Sequence, residues 1–103
     1  MSRKIFVAVM SQKGPAVAVD PTLPRDALQT MTGPRMTTHG DPHDTLARVA
    51  QMWTGYLGKD IHPTDVAQMM VMVKQARSKA AYDRDHYLDA VAYLLLAEST
   101  ARE

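Results

Sequence analysis

The chain has 103 residues, with 12 Lys and Arg against 11 Asp and Glu, four histidines and no cysteine. That length accommodates one domain with a modest core. The near-neutral, interspersed charge excludes general nucleic-acid binding, which needs a basic stripe, and the lack of cysteine excludes disulfides and thiolate metal sites.

No apolar run approaches the roughly 20 residues needed to span a bilayer. The apolar stretch Ile5–Met10 is short, is interrupted by Ser11, Gln12 and Lys13, and lacks a small-residue cleavage site. A cytoplasmic protein without a membrane partner is therefore expected. Residues 4–10, KIFVAVM, and 16–20, AVAVD, flank the turn-forming SQKGP. Their composition predicts a two-stranded β-hairpin, with residues 1–22 forming hairpin and linker and Pro21 and Pro24 closing the segment. Residues 23–103 then form a helical domain. A short helix is expected over Arg25–Thr32, terminated by Gly33-Pro34.

Three principal helices follow. The first opens at Asp41-Pro42-His43-Asp44, which supplies a side-chain cap, a proline in the first turn and a carboxylate three positions after the cap. Leu46, Val49, Ala50, Trp53 and Leu57 make its apolar stripe, and Gly58 stops it. The second repeats the punctuation as His62-Pro63-Thr64-Asp65 and runs to about Ala80. Met69, Met70, Val73, Ala76 and Ala80 fall on one side, and the apolar arc covers most of its circumference. The third starts among Tyr82–Asp85 and runs to about Thr100, with Leu88, Val91, Ala92 and Leu95 inward. The expected fold is mainly α, a three-helix core with an N-terminal hairpin. A lone hairpin is marginal in water, and Tyr87 and Leu94 are left outside, so a homo-oligomer is expected.

Lys74 and Arg77 project toward the apolar side of the second helix. A buried cation requires a partner anion or ligand, because leaving it unpaired costs several kcal/mol. On the third helix His86, Asp89 and Tyr93 are spaced three and four apart and share one polar flank. Asp89 is the natural counter-ion for Arg77 or Lys74 if the two helices pack antiparallel, and a direct Arg77–Asp89 contact with Lys74 close by is expected. The plain reading is a structural ion pair between helices. The sharper reading leaves positive charge over for a phosphate or substrate carboxylate.

Arg35, Thr38, His39 and Gly40 lead into a helix N-terminus, with hydroxyl, glycine and cationic groups suited to an anion, although Asp41 competes for the same donors. His39, Asp65, His86 and Asp89 are the residues that could hold a metal, but none has a specific ligand spacing such as H-E-x-x-H. Nucleophilic catalysis has no support in the pattern, with no cysteine and no G-x-S-x-G.

From about Leu23 to Ser99 the chain resembles a family of short, uncharacterised phage and prophage proteins. The residues that carry the likeness are Gly33 and Arg35, then His39, Gly40, Asp41 and Pro42, then Trp53, Tyr56 and Leu57. They continue as Asp65, Val66, Ala67, Met69, Met70, Lys74 and Arg77, and end in Asp89 and Tyr93. His39 stands where that pattern has tyrosine, and Ala92 stands where it has glycine. More remotely, Asp89-Ala-Val-Ala-Tyr-Leu is similar to the late helix of MazG-type all-α nucleotide pyrophosphohydrolases. That likeness implies magnesium held by helical carboxylates in an E-x-x-E arrangement. Here the only glutamates are Glu98 and Glu103, so the arrangement is missing.

Three functions are thereby expected to compete. The first is a phage-type accessory protein that binds a phosphorylated small molecule or nucleotide without turnover and without a cofactor. It would use Arg35, Thr38, His39, Gly40, Lys74, Arg77, Asp89 and Tyr93. The second is a divergent magnesium-dependent nucleotide pyrophosphohydrolase using Asp65, Asp85 and Asp89 with His39 or His86. The third is a phage protein that binds a host protein, for instance to blunt a defence system.

Overall fold

The structure, a computed structural model, describes residues 18–34 and 39–103. Its regular elements are α1 (Leu23–Thr32), α2 (Pro42–Leu57), α3 (Pro63–Ser78) and α4 (Arg84–Ala101), and no strand occurs among the described residues. This corrects the expected three-helix core with a β-hairpin. Most of the hairpin, residues 1–17, lies outside the described residues, but Ala18–Asp20, the end of its second strand, are irregular. The segment expected as a minor helix is a fourth structural member that packs on α4 and buries Ala27. It also begins earlier than expected. Pro24 belongs to its first turn, where a fixed φ and a missing N–H cost nothing, rather than to a linker.

The helix ends follow their local chemistry. Asp41 accepts the His43 backbone N–H at 2.9 Å, and Gly58 closes α2 in the left-handed region at φ 68°. At α3 the Thr64 N–H donates to His62 Nδ1 at 3.1 Å while the His62 N–H donates to Asp65 Oδ2 at 2.9 Å, a reciprocal cap. Asp83 caps α4 through the Asp85 N–H at 2.9 Å.

Helices α3 and α4 share the most extensive interface. Thr64 contacts Thr100 near one end and Lys74 contacts Asp89 near the other, so the two run antiparallel. Arg84, at the start of α4, donates to Asp20, Thr22 and Asp26 at 3.0, 3.1 and 2.8 Å, which fixes the start of α1 beside it. Met31, at the far end of α1, packs on the core, so α1 runs parallel to α4. Helix α2 is tied at both ends to the end of the α3–α4 pair that lies away from Arg84, where α3 begins and α4 finishes. His43 Nε2 lies 2.8 Å from Ser99 Oγ, and Thr54 Oγ1 accepts the Ile61 N–H at 2.9 Å. It therefore crosses the α3–α4 pair instead of lying along it.

The core gathers where these three directions meet. Leu46, Ala50, Val66, Ala67, Leu96 and Ala97 are buried together, with Met31, Val49, Trp53, Ile61 and Tyr93 at the margin. Alanines at three of these positions let the helices approach closely. The stripe expected on α2 holds at Leu46, Val49, Ala50 and Trp53 and fails at Leu57, which is exposed. On α3 and α4 the covered face is turned from the one expected: Met69, Val73 and Leu95 are exposed, while Val66, Ala67, Val71, Leu96 and Ala97 are buried.

Candidate ligand-binding site

The crossing of α2 over the α3–α4 pair, with α1 alongside α4, leaves a cavity of about 500 Å³. Met31, Val49, Trp53, Met70, Tyr93 and Leu96 supply most of its apolar wall. His39, Gly40 and Pro42 border it before and at the start of α2, and Thr30 and Thr45 add hydroxyls. The volume lies inside the range of roughly 300–1,000 Å³ typical of small-molecule sites.

The charged groups among the described lining residues are Lys74 and Asp89. Lys74 Nζ lies 3.1 Å from Asp89 Oδ2, with side chains 14% and 28% exposed. On α3, Lys74 follows Val66 and Met70 at i+8 and i+4, which places all three on the cavity side. Asp89 precedes Tyr93 and Leu96 at four and seven residues on α4, so it shares their face. The cation that meets Asp89 is therefore Lys74. Arg77 lies in the last turn of α3 and is exposed. The two-cation cluster expected on the second principal helix reduces, among the described residues, to one matched pair.

Of the other expected ligand-site residues, His39, Gly40 and Tyr93 line the cavity, and Gly40 adopts φ 80°, a left-handed conformation suited to glycine. Arg35 and Thr38 lie outside the described residues. The residues considered for a metal are dispersed. Asp65 caps the start of α3, His86 sits in the first turn of α4 with Nε2 3.9 Å from Asp83 Oδ2, and Asp89 is paired with Lys74. Among the described residues no group of three or more His, Cys, Asp or Glu could hold a metal ion. A magnesium site of the E-x-x-E type does not fit these residues. The cavity wall that the pattern missed, Met31 and Met70 above all, carried no signal beyond ordinary apolar spacing.

A second polar array sits next to the cavity. Asp41 Oδ1 lies 3.2 Å from His43 Nδ1, and His43 Nε2 lies 2.8 Å from Ser99 Oγ. The order carboxylate, imidazole, hydroxyl is that of a nucleophilic relay. However, the same Asp41 oxygen accepts the His43 backbone N–H, and this bond above all, with the His43 ring contact added, holds its carboxyl below the usual range. Ser99 lies within the regular part of α4, and neither His43 nor Ser99 lines the cavity. The array staples the start of α2 to the end of α4.

The Gene 55 protein of Mycobacterium phage D29 is 35% identical over 69 residues, covering 66% of this chain and 46% of that protein. The Gene 55 protein of Mycobacterium phage L5 is 33% identical over 69 residues, covering 65% and 44%. The chain thus spans less than half the length of these phage relatives. No solved structure matches it. Residues 23–101, from the start of α1 to the end of α4 and including every described wall of the cavity, match the family described as Domain of unknown function (DUF6378), and the chain belongs to that family.

Proposed function

We propose that this protein binds a phosphorylated small molecule of nucleotide type in the α1–α4 cavity and releases it unchanged. The observation that carries the reading is a cavity of about 500 Å³ with aromatic and thioether walls and a largely shielded Lys74–Asp89 pair at one end. An apolar enclosure with a few convergent polar groups is the usual form of a small-molecule site. Trp53 and Tyr93 offer faces or edges to a flat heterocycle. The exposed His39 and Gly40 border leaves room for a charged tail near solvent. Turnover of a phosphoanhydride would call for clustered carboxylates around a divalent cation, and among the described residues no group of three or more His, Cys, Asp or Glu is placed to hold one.

The test is a thermal-shift screen against nucleotides, cyclic nucleotides and divalent metals, followed by calorimetry. Stabilisation should rise logarithmically with nucleotide concentration, and chromatography should recover the nucleotide intact. Release of a cleaved product that depends on magnesium or manganese and on Asp89 would replace this reading with the hydrolase. No small-molecule binding, with tight capture of a host protein, would replace it with the interaction protein.

A further inference from the structure

Resting on that reading, we infer that Lys74 and Asp89 bind the Watson–Crick edge of a nucleobase, so that the base lies at their end of the cavity and the sugar-phosphate at the other. Charge comes first. Asp89 lies 3.1 Å from the Lys74 ammonium and neutralises it. A phosphate drawn to Lys74 would meet a carboxylate at the same spot, and the repulsion would offset the attraction. A neutral partner that donates to one group and accepts from the other meets no such penalty.

Hydrogen-bond chemistry then narrows the partner. An ammonium carries three donors and an ionised carboxylate only acceptors. Asp89 occupies one donor of Lys74, and both residues line the cavity, where they present a donor and an acceptor side by side. Adenine offers the complement, its exocyclic amine donating to Asp89 and its ring N1 accepting from Lys74. Cytosine does the same with its exocyclic amine and N3. The surrounding wall suits a flat ring, since Trp53, Met70 and Tyr93 are aromatic or polarisable.

Length fits as well. Asp89 and Leu96, both on the wall, are seven residues apart on α4, or about 10 Å at 1.5 Å per residue. A base against the pair at the Asp89 end therefore leaves its sugar near Leu96 and its phosphate toward His39 and Gly40, which are exposed.

The experiment is calorimetry on the full chain with two pairs of 5′-monophosphates. One is adenosine against purine riboside, its analogue without the exocyclic amine. The other is cytidine against 2-pyrimidinone riboside, which lacks its amine in the same way. In at least one pair the amine-bearing member should bind at least tenfold tighter, because its analogue leaves Asp89 facing a C–H. The double variant Lys74→Met, Asp89→Leu replaces both partners with apolar groups and so should fold, and in it that preference should vanish. Equal binding within both pairs, or a preference that survives the double variant, would overturn the edge assignment while leaving the nucleotide reading intact. Displacement of adenosine 5′-monophosphate by ribose 5-phosphate that Lys74→Met abolishes would also overturn it, by placing the phosphate on Lys74. Failure of all four nucleotides to bind would overturn the edge assignment, and failure of guanosine and uridine 5′-monophosphates as well would overturn the nucleotide reading with it.

Discussion

Lys74 Nζ stands 3.1 Å from Asp89 Oδ2 across the α3–α4 interface, one helical turn beyond Met70 and one before Tyr93. The pair is neither surface decoration nor a fully dry ion pair, with side chains 14% and 28% exposed. Exposed pairs contribute about 0–1 kcal/mol, whereas stripping one partner from a buried pair costs roughly 3–5 kcal/mol. Lys74→Ala should accordingly cost on the order of 2 kcal/mol, chiefly because Asp89 is left uncompensated. Urea unfolding of Lys74→Met, Asp89→Leu and the double variant gives the coupling directly. The double should recover most of the single losses, and additive losses would show that the two groups do not interact in solution.

The exposed end of the α2 stripe makes a second prediction. Leu46 is buried in the central cluster and Leu57, eleven positions on in the same helix, is 53% exposed. Leu46→Ala should cost about 3 kcal/mol, the usual sum of lost transfer and an incompletely collapsed cavity. Leu57→Ala should cost less than about 0.5 kcal/mol. Equal losses in chemical denaturation would place Leu57 back on an inward stripe.

What could be read in advance divides along the same line. Asp41-Pro42, His62-Pro63-Thr64-Asp65 and Gly58 are local devices, each acting within a few residues, so both ends of α2 and the start of α3 were legible. Faces were not. Helices α3 and α4 carry apolar residues almost all round, so Met69 and Val73 could be taken for inward positions as readily as Val66, Ala67 and Val71. Which side is covered depends on α1 and α2 arriving from outside, and periodicity within α3 holds no record of that. Arg77 shows the same limit. Its projection lies between Val66 and Met70, yet it is exposed in the last turn of α3. The cavity itself was legible only as Lys74, Asp89, Tyr93 and the His39-Gly40 border. Met31 and Trp53 join it through the crossing of α2 and the direction of α1.

Acid titration probes the join between α1 and α4. Bonds from the Thr22 hydroxyl and backbone N–H, and then from Arg84, hold the Asp20 carboxyl at about 2, below its ordinary 3.8. A carboxylate with a depressed folded pKa adds stability that is complete above its unfolded value and is lost as pH falls through the folded one. The excess melting temperature of the wild type over Asp20→Asn should therefore hold from pH 7 to about pH 4.5. It should shrink as pH falls toward about 2. A difference that stays constant across that window would mean that Asp20 is not ionised against these partners.

The cavity can be watched from within, because Trp53 is the chain's single tryptophan and lies on the wall. Any ligand that enters must replace water or empty space beside the indole, so its emission should change in both intensity and wavelength. A stacked heterocycle quenches, and the titration with adenosine 5′-monophosphate should therefore saturate with the same Kd that calorimetry gives. The same ligand at 100 times that Kd should stabilise the fold by about 2.7 kcal/mol, since binding to the folded state alone adds RT ln(1 + [L]/Kd). Met70→Ala enlarges the wall without touching the ion pair, and it should weaken binding through lost contact while leaving Lys74 and Asp89 coupled as before. Emission that stays unchanged while calorimetry records saturable binding would move the ligand out of this cavity to another surface of the molecule.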